Sequence, residues 1–225
     1  MKAVNSFYLK IIAIITMLID HTAAVLIPSN TALWLAMRYI GRISFPIFVF
    51  LLVEGFCHTR NARKYLMRMG AFALISEVPF DLAFYGKILE FKHQNIFFTL
   101  FLGLLCLLLM KEAKTRFEKN TFAVNVLNIL LILGFCVAAE YLRTDYGAAG
   151  IVLIVAFYLF RGNRLLCTGA LLLVSISINR IQTFAILAML PIFLYNGQRG
   201  RNIKYAFYIF YPAHLLILAL LKIYL

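Results

Sequence analysis

The sequence is poor in acid. Of its 225 residues only nine are Asp or Glu, against 22 Lys or Arg, for a formal net charge of +13. Proline occurs five times, which leaves no Pro-rich linker. The four cysteines, Cys57, Cys106, Cys136 and Cys167, sit inside apolar runs with no CxxC or CxxH spacing. That pattern excludes the usual zinc-ligand signature, so they read as small core residues and no metal is expected. Any long polar stretch is also missing: 64% of the residues are hydrophobic and the mean hydropathy is +0.90. A soluble domain is about half apolar. Here the excess falls in runs of roughly the 20 residues that a helix needs to cross a bilayer, separated by short basic or Gly/Asn/Pro breaks.

The expected fold is therefore all-α: a polytopic transmembrane helix bundle of about nine spans, forming one domain over 1–225. The spans are drawn at 8–27, 40–58, 64–85, 95–111, 121–142, 147–160, 164–178, 180–196 and 203–225. No A-x-A-like cleavage site precedes a polar segment, so the first run reads as a retained span rather than a signal peptide. The basic residues are not a nucleic-acid surface. They gather in alternate connections, as Arg60-Arg63-Lys64-Arg68, Lys111-Lys114-Arg116-Lys119, Arg161-Arg164 and Arg199-Arg201-Lys204. By the positive-inside rule this alternation puts the N-terminus in the cytoplasm.

Most of the few acids lie in or beside spans, where an ionisable group facing lipid costs several kcal/mol. Asp20 and His21 fall in the outer half of the first span, Arg42 at the outer end of the second, and Glu77 and Asp81 in the outer half of the third. His93, Gln94 and Asn95 open the fourth, and Glu140 closes the fifth. Their common depth points to an outward-facing polar cavity. "SEVPFD" places Glu77 and Asp81 on one face at i, i+4 around Pro79, where two carboxylates repel unless one is protonated or Arg42 sits between them. Asn95 suits the N-cap of the fourth span. Glu54 can lock a helix end by pairing with Arg60 or Arg63. In the last span Tyr205, Tyr208, Tyr211 and His214 recur every three residues, either as a packing ridge or as a channel lining. Lys10 and His21, eleven residues apart, share one helix face about 16 Å apart along the axis; Lys10 can equally snorkel to the interface.

Read without further help, such a map serves an enzyme and a proton-coupled transporter equally well. A non-enzymatic assembly protein would use the same carboxylates as helix-pairing contacts. The segments "LKIIAIITMLIDHT", "RYIGRISFPIFVFLLVEGFCHTRNARKYLMR", "ISEVPFDLAF", "HQNIFFTLFLG" and "KYAFYIFYPAHLLILALL", in that order, resemble the TraX family of bacterial membrane proteins. That family's named member is associated with N-acetylation of a conjugative pilus subunit. More distantly, the family resembles the transmembrane acyltransferases, including the acyltransferase-three proteins. Those share a basic residue, ten intervening residues and a histidine on the first span, a pattern met here by Lys10 and His21, with lysine in place of the usual arginine.

The resemblance implies a multi-pass protein of the bacterial cytoplasmic membrane, with cytoplasmic acetyl-CoA or another acyl-CoA as donor. The acceptor would be an amine or hydroxyl at the outer side, on a protein N-terminus, a glycan or a small molecule. On this reading Lys10, helped by Arg63 or Lys64, holds the phosphates of CoA. His21, oriented by Asp20, is the general base. Arg42 or Asn95 stabilises the oxyanion, with Glu77, Asp81 and His93 completing the site.

Overall fold

A computed structural model describes residues 3–201 and 204–224; positions 203 and 225, the ends of the last expected span, lie outside them. The described chain is helical apart from isolated backbone bridges. Helix α1 runs Ser6–Leu26, α2 Ala32–Gly41, α3 Ser44–His58, α4 Ala62–Tyr85, α5 Ile96–Arg116 and α6 Thr121–Tyr141. Then follow α7 Gly147–Leu159, α8 Arg164–Ile178, a 3₁₀ segment Ile181–Ala188, α9 Met189–Phe193 and α10 Lys204–Tyr224.

The polar breaks between the apolar runs act as caps. Asn5, Asn61, Asn95, Asn120 and Asn163 each precede a helix and accept one or more of its first free N–H groups. Asparagine is among the residues best suited to this position, because its short side-chain oxygen reaches the N2 or N3 amide. Helices α1, α5, α6 and α10 each extend for 21 residues. At 1.5 Å per residue that is about 31 Å, the thickness of a bilayer's hydrocarbon.

Among the described residues, five helical stretches are long and apolar enough to cross a membrane: Ser6–Leu26, Ala32–His58, Ile96–Arg116, Thr121–Tyr141 and Tyr205–Tyr224. The chain is a membrane protein. The second expected span begins earlier than drawn, since α2 and α3 form one broken run with its joint at Arg42 and Ile43. α4 has the length but carries Arg63, Lys64, Arg68, Glu77 and Asp81, so it lacks an equally apolar stretch; it stays a single helix through Pro79. α7 and α8, with 13 and 15 residues, are shorter than a bilayer is thick. The expected eighth span is the 3₁₀ segment continued by α9.

α1 packs on α2, α3 and α10, while α4 lies between α10 and α5. α6 rests on α5 and α7, and it turns Phe122, Ile129, Leu133 and Val137 outward, as a lipid-facing helix should. Contacts of Gln94 with Arg143 and Asp145, and of Arg42 with Gln182, bring the turns after α4, α6 and α8 to the end of the bundle where α2 meets α3. The sequence carries His93, Asp145 and Gln182 at or near those turns. At the opposite end Glu54 accepts from Arg161 at 2.7 Å. That is a helix-end lock of the expected kind, with Arg161 rather than Arg60 or Arg63 as partner.

Candidate functional site

At the end where those turns gather, a cavity of about 260 Å³ opens between α1, α2, α3, α4, α5 and α10. Aromatic rings make most of its wall, among them Phe45, Phe80, Phe84, Phe97 and Tyr211. Its polar lining includes Asp20, His21, Arg38, Arg42, His93, Asp145 and Tyr146. Four sequence-derived candidates, Asp20, His21, Arg42 and His93, thus surround one space.

Asp20 and His21 are sequence neighbours, so they leave α1 about 100° apart and serve different partners. Asp20 faces α2, where Arg38 and Arg42 stand at i, i+4. Its Oδ2 accepts from Arg38 at 2.6 Å and its Oδ1 from Arg42 at 2.5 Å. Arg42 also donates to the Arg38 carbonyl at 3.2 Å and to Gln182 Oε1 at 3.3 Å. This close approach of α1 and α2 requires Gly41, because a Cβ there would overlap the Asp20 carboxylate. Two guanidiniums thus share one carboxylate, and Asp145 on the same wall supplies the second negative charge. Asp20 therefore does not orient His21, and Arg42 does not stand between Glu77 and Asp81.

His21 faces α10. Its Nδ1 lies 2.7 Å from Nε2 of His214, and the two ring planes are only 6° apart. His214 Nδ1 lies 2.8 Å from the Phe210 carbonyl, which can only accept. With both rings neutral, His214 Nδ1 is therefore the donor, its Nε2 the acceptor, and His21 Nδ1 carries the proton between the rings. That leaves His21 Nε2 with the lone pair. The orienting partner is His214, 193 positions away. Its place in the Tyr205-Tyr208-Tyr211 series was the visible signal in the sequence. Tyr211 lines the same cavity, whereas Tyr208 stacks on Phe72 as the packing reading expects.

The other candidates lie elsewhere. Asn95 is fully buried and caps α5 while its amide donates to the Ala73 carbonyl at 2.8 Å and to Glu77 Oε2. Its donors clamp α4 to α5 and are not available to an oxyanion. Glu77 is committed to Asn95 through Oε2, and Asp81 accepts the Glu90 amide at 2.7 Å. Neither lines the cavity. Lys10 lies 5.1 Å from the ring of Phe207, itself a wall residue, so the cation stands behind the lining. Arg63 is exposed and pairs with Glu112 at 3.3 Å, and Lys64 is exposed. Neither joins Lys10 at a shared cavity.

His93 lies in the connection between α4 and α5, 3.4 Å from Asp145. That hydrogen bond, opposed by partial burial, raises the imidazole above its ordinary value of about 6.5. A histidine raised by folding stabilises the folded state fully below its unfolded pKa, and loses that contribution as pH climbs through the folded value. The difference in melting temperature between the native protein and His93→Gln should therefore shrink as pH rises from about 6. The shift will be small, since both side chains are more than a third exposed and solvent screens them. A gap that widens with pH would reverse the assignment.

Together these features define an all-helical membrane protein with a hydrogen-bonded histidine pair at an aromatic cavity. The chain belongs to the TraX family: residues 6–222 match the family described as TraX protein. It is also 31% identical, over 247 aligned positions covering 98% of this chain and 97% of the relative, to the "Probable fimbrial assembly protein FimC, serogroup H1" of Dichelobacter nodosus. No solved structure matches it.

Proposed function

We propose that this protein is a multi-pass acyltransferase of the bacterial cytoplasmic membrane. It moves an acetyl or other acyl group from cytoplasmic acyl-CoA to an amine or hydroxyl at the outer side. The observation that carries this reading is the His21–His214 pair, which leaves one imidazole nitrogen as a base beside a cavity. The cavity has room for reacting ends rather than for a whole coenzyme. CoA itself would remain toward the Lys10 end, with its thioester reaching past Phe207.

His21 Nε2 would remove the proton from the acceptor as its nitrogen or oxygen attacks the thioester carbon. The new C–N or C–O bond forms, the C–S bond breaks, and the departing thiolate takes the proton back from His21. Arg42, with Arg38 behind it, would offset the negative charge that develops on the carbonyl oxygen. The N-terminus is then cytoplasmic, in keeping with the basic connections.

Purified protein in detergent should bind acetyl-CoA and release CoA slowly. His21→Ala should retain binding but lose turnover by at least about 10²-fold, the usual contribution of a general base. Folded protein with no affinity for acetyl-CoA or longer acyl-CoAs would overturn the proposal. One feature favours a second reading, proton-coupled transport: Glu77 Oε1 and Asp81 Oδ1 are buried without hydrogen-bond partners. In that case Glu77→Gln and Asp81→Asn would abolish substrate uptake by vesicles, and His21→Ala would have no CoA release to impair.

A further inference from the structure

Beyond the histidine cavity, on the far side of His93 and Tyr146, lies a second and more open groove of about 520 Å³. His93 and Tyr146 line both spaces, so the groove and the cavity are neighbours across those two side chains. Its remaining polar lining includes Lys92, Arg143, Glu140 and Ser177.

The groove is held in one shape. The Gln94 amide donates to the Arg143 carbonyl at 2.9 Å, and the Asp145 amide donates to the Gln94 carbonyl at 3.0 Å. These bonds staple the connection before α5 to the one before α7, and so set Lys92 and Arg143 on a common wall. The second connection is also strained: Arg143 and Tyr146 have φ of 53° and 64°, a left-handed conformation that non-glycine residues seldom hold without outside support. Gly147 follows at φ 46°, pressed against the Glu140 carboxylate.

The acids here are already engaged. Glu140 Oε1 accepts the Ala148 amide at 2.8 Å, standing in for the side-chain cap that Tyr146 does not provide to α7. Asp145 is taken by His93. Lys92 and Arg143 are exposed, and neither forms a salt bridge among the described residues. Lys92 and Arg143 against Glu140, two positive charges against one negative, leave the groove lining with a net charge of +1 when His93 is neutral. The two cations combine the forked donors of a guanidinium with an ammonium, a set suited to phosphate oxygens.

We infer that this groove binds the phosphate of a phosphate-bearing acceptor and presents its amine or hydroxyl, past His93 and Tyr146, to His21. The inference rests on the acyl-transfer reading for the second half of that statement and on the groove alone for the first. The phosphate could belong to a lipid headgroup or to a water-soluble molecule.

The test is equilibrium dialysis of radiolabelled glucosamine 6-phosphate, with glucosamine as the phosphate-free control, against the full protein in phosphatidylcholine nanodiscs. The wild type should bind the phosphorylated sugar at least about tenfold more tightly than glucosamine, the scale of one good charge-assisted contact. Lys92→Gln with Arg143→Asn should remove that preference, asparagine being chosen because it tolerates positive φ. Lys92→Arg with Arg143→Lys should keep it, which separates loss of charge from loss of fold. Phosphatidylglycerol in the disc will weaken probe binding if the natural phosphate is carried by a lipid, and leave it unchanged if it is soluble. No preference in the wild type, or a preference that survives the charge-removing pair, overturns the site. Substitution-sensitive phosphate binding by a protein that never turns over acetyl-CoA would keep the groove and sink acyl transfer instead.

Discussion

Asp20→Ala should be the most destabilising single substitution in the site. The carboxylate is buried and answers two guanidiniums at 2.6 and 2.5 Å, whose side chains are only 23% and 14% exposed. Removing it takes from both cations the carboxylate they bond directly and leaves them facing each other. Breaking one buried pair in this way costs about 3–5 kcal/mol, a large part of the 5–15 kcal/mol that holds a typical protein folded. The expected result is a sharply lower melting temperature in detergent and poor recovery of monodisperse protein. Gly41→Ala should do similar damage by a steric route, because the added methyl group would occupy the place of the carboxylate. The cause can be separated from mere crowding with Asp20→Leu, Arg38→Met and Arg42→Met together. An apolar set of similar volume removes every stranded charge and should restore much of the stability. If the triple variant is as unstable as Asp20→Ala, the damage does not come from unpaired charge.

Much of this architecture is legible in the sequence because a bilayer imposes a length and a polarity that residues must obey. The apolar runs, the asparagine at the head of each of five helices and the candidates Asp20, His21, Arg42 and His93 follow from those local constraints. Pairings between distant helices do not. A helical wheel shows that Asp20 and His21 point to different faces, but not that one face meets Arg38 and the other His214. Arg38 reads as part of a connection while the second span is begun at position 40. The overlooked signal is Thr31, which accepts the Trp34 amide and starts the helix earlier; from there Arg38 and Arg42 fall on one face. Asn95 shows the opposite limit. Its capping role is local and legible, whereas the demand that Glu77 and the Ala73 carbonyl make on its amide comes from α4, and only the packed structure reveals that its donors are taken. Gln182 sits on a 3₁₀ segment that has no clear periodic signature, so nothing in the sequence brings it to Arg42.

His214 should prove to be a positioning residue whose contribution lies in turnover rather than in acyl-CoA binding. It fixes the proton of His21 on Nδ1 through an acceptor nitrogen 2.7 Å away, and its own proton is tied to the Phe210 carbonyl. Without that acceptor His21 can rotate or exchange tautomers, and the lone pair at Nε2 is no longer held for the incoming nucleophile. His214→Leu should lower kcat by roughly 10–100-fold, less than the loss of the base itself, while acetyl-CoA affinity stays within about twofold. His214→Gln can still offer an amide oxygen to the His21 proton and should recover a substantial part of the rate. A purely structural role predicts a different pattern: Leu and Gln would be ranked by stability alone, with binding and turnover falling together. Measuring kcat, acetyl-CoA affinity and melting temperature on both variants decides between them. If Leu retains full turnover, the lone pair of His21 is not set by His214, and the base assignment loses its main geometric support.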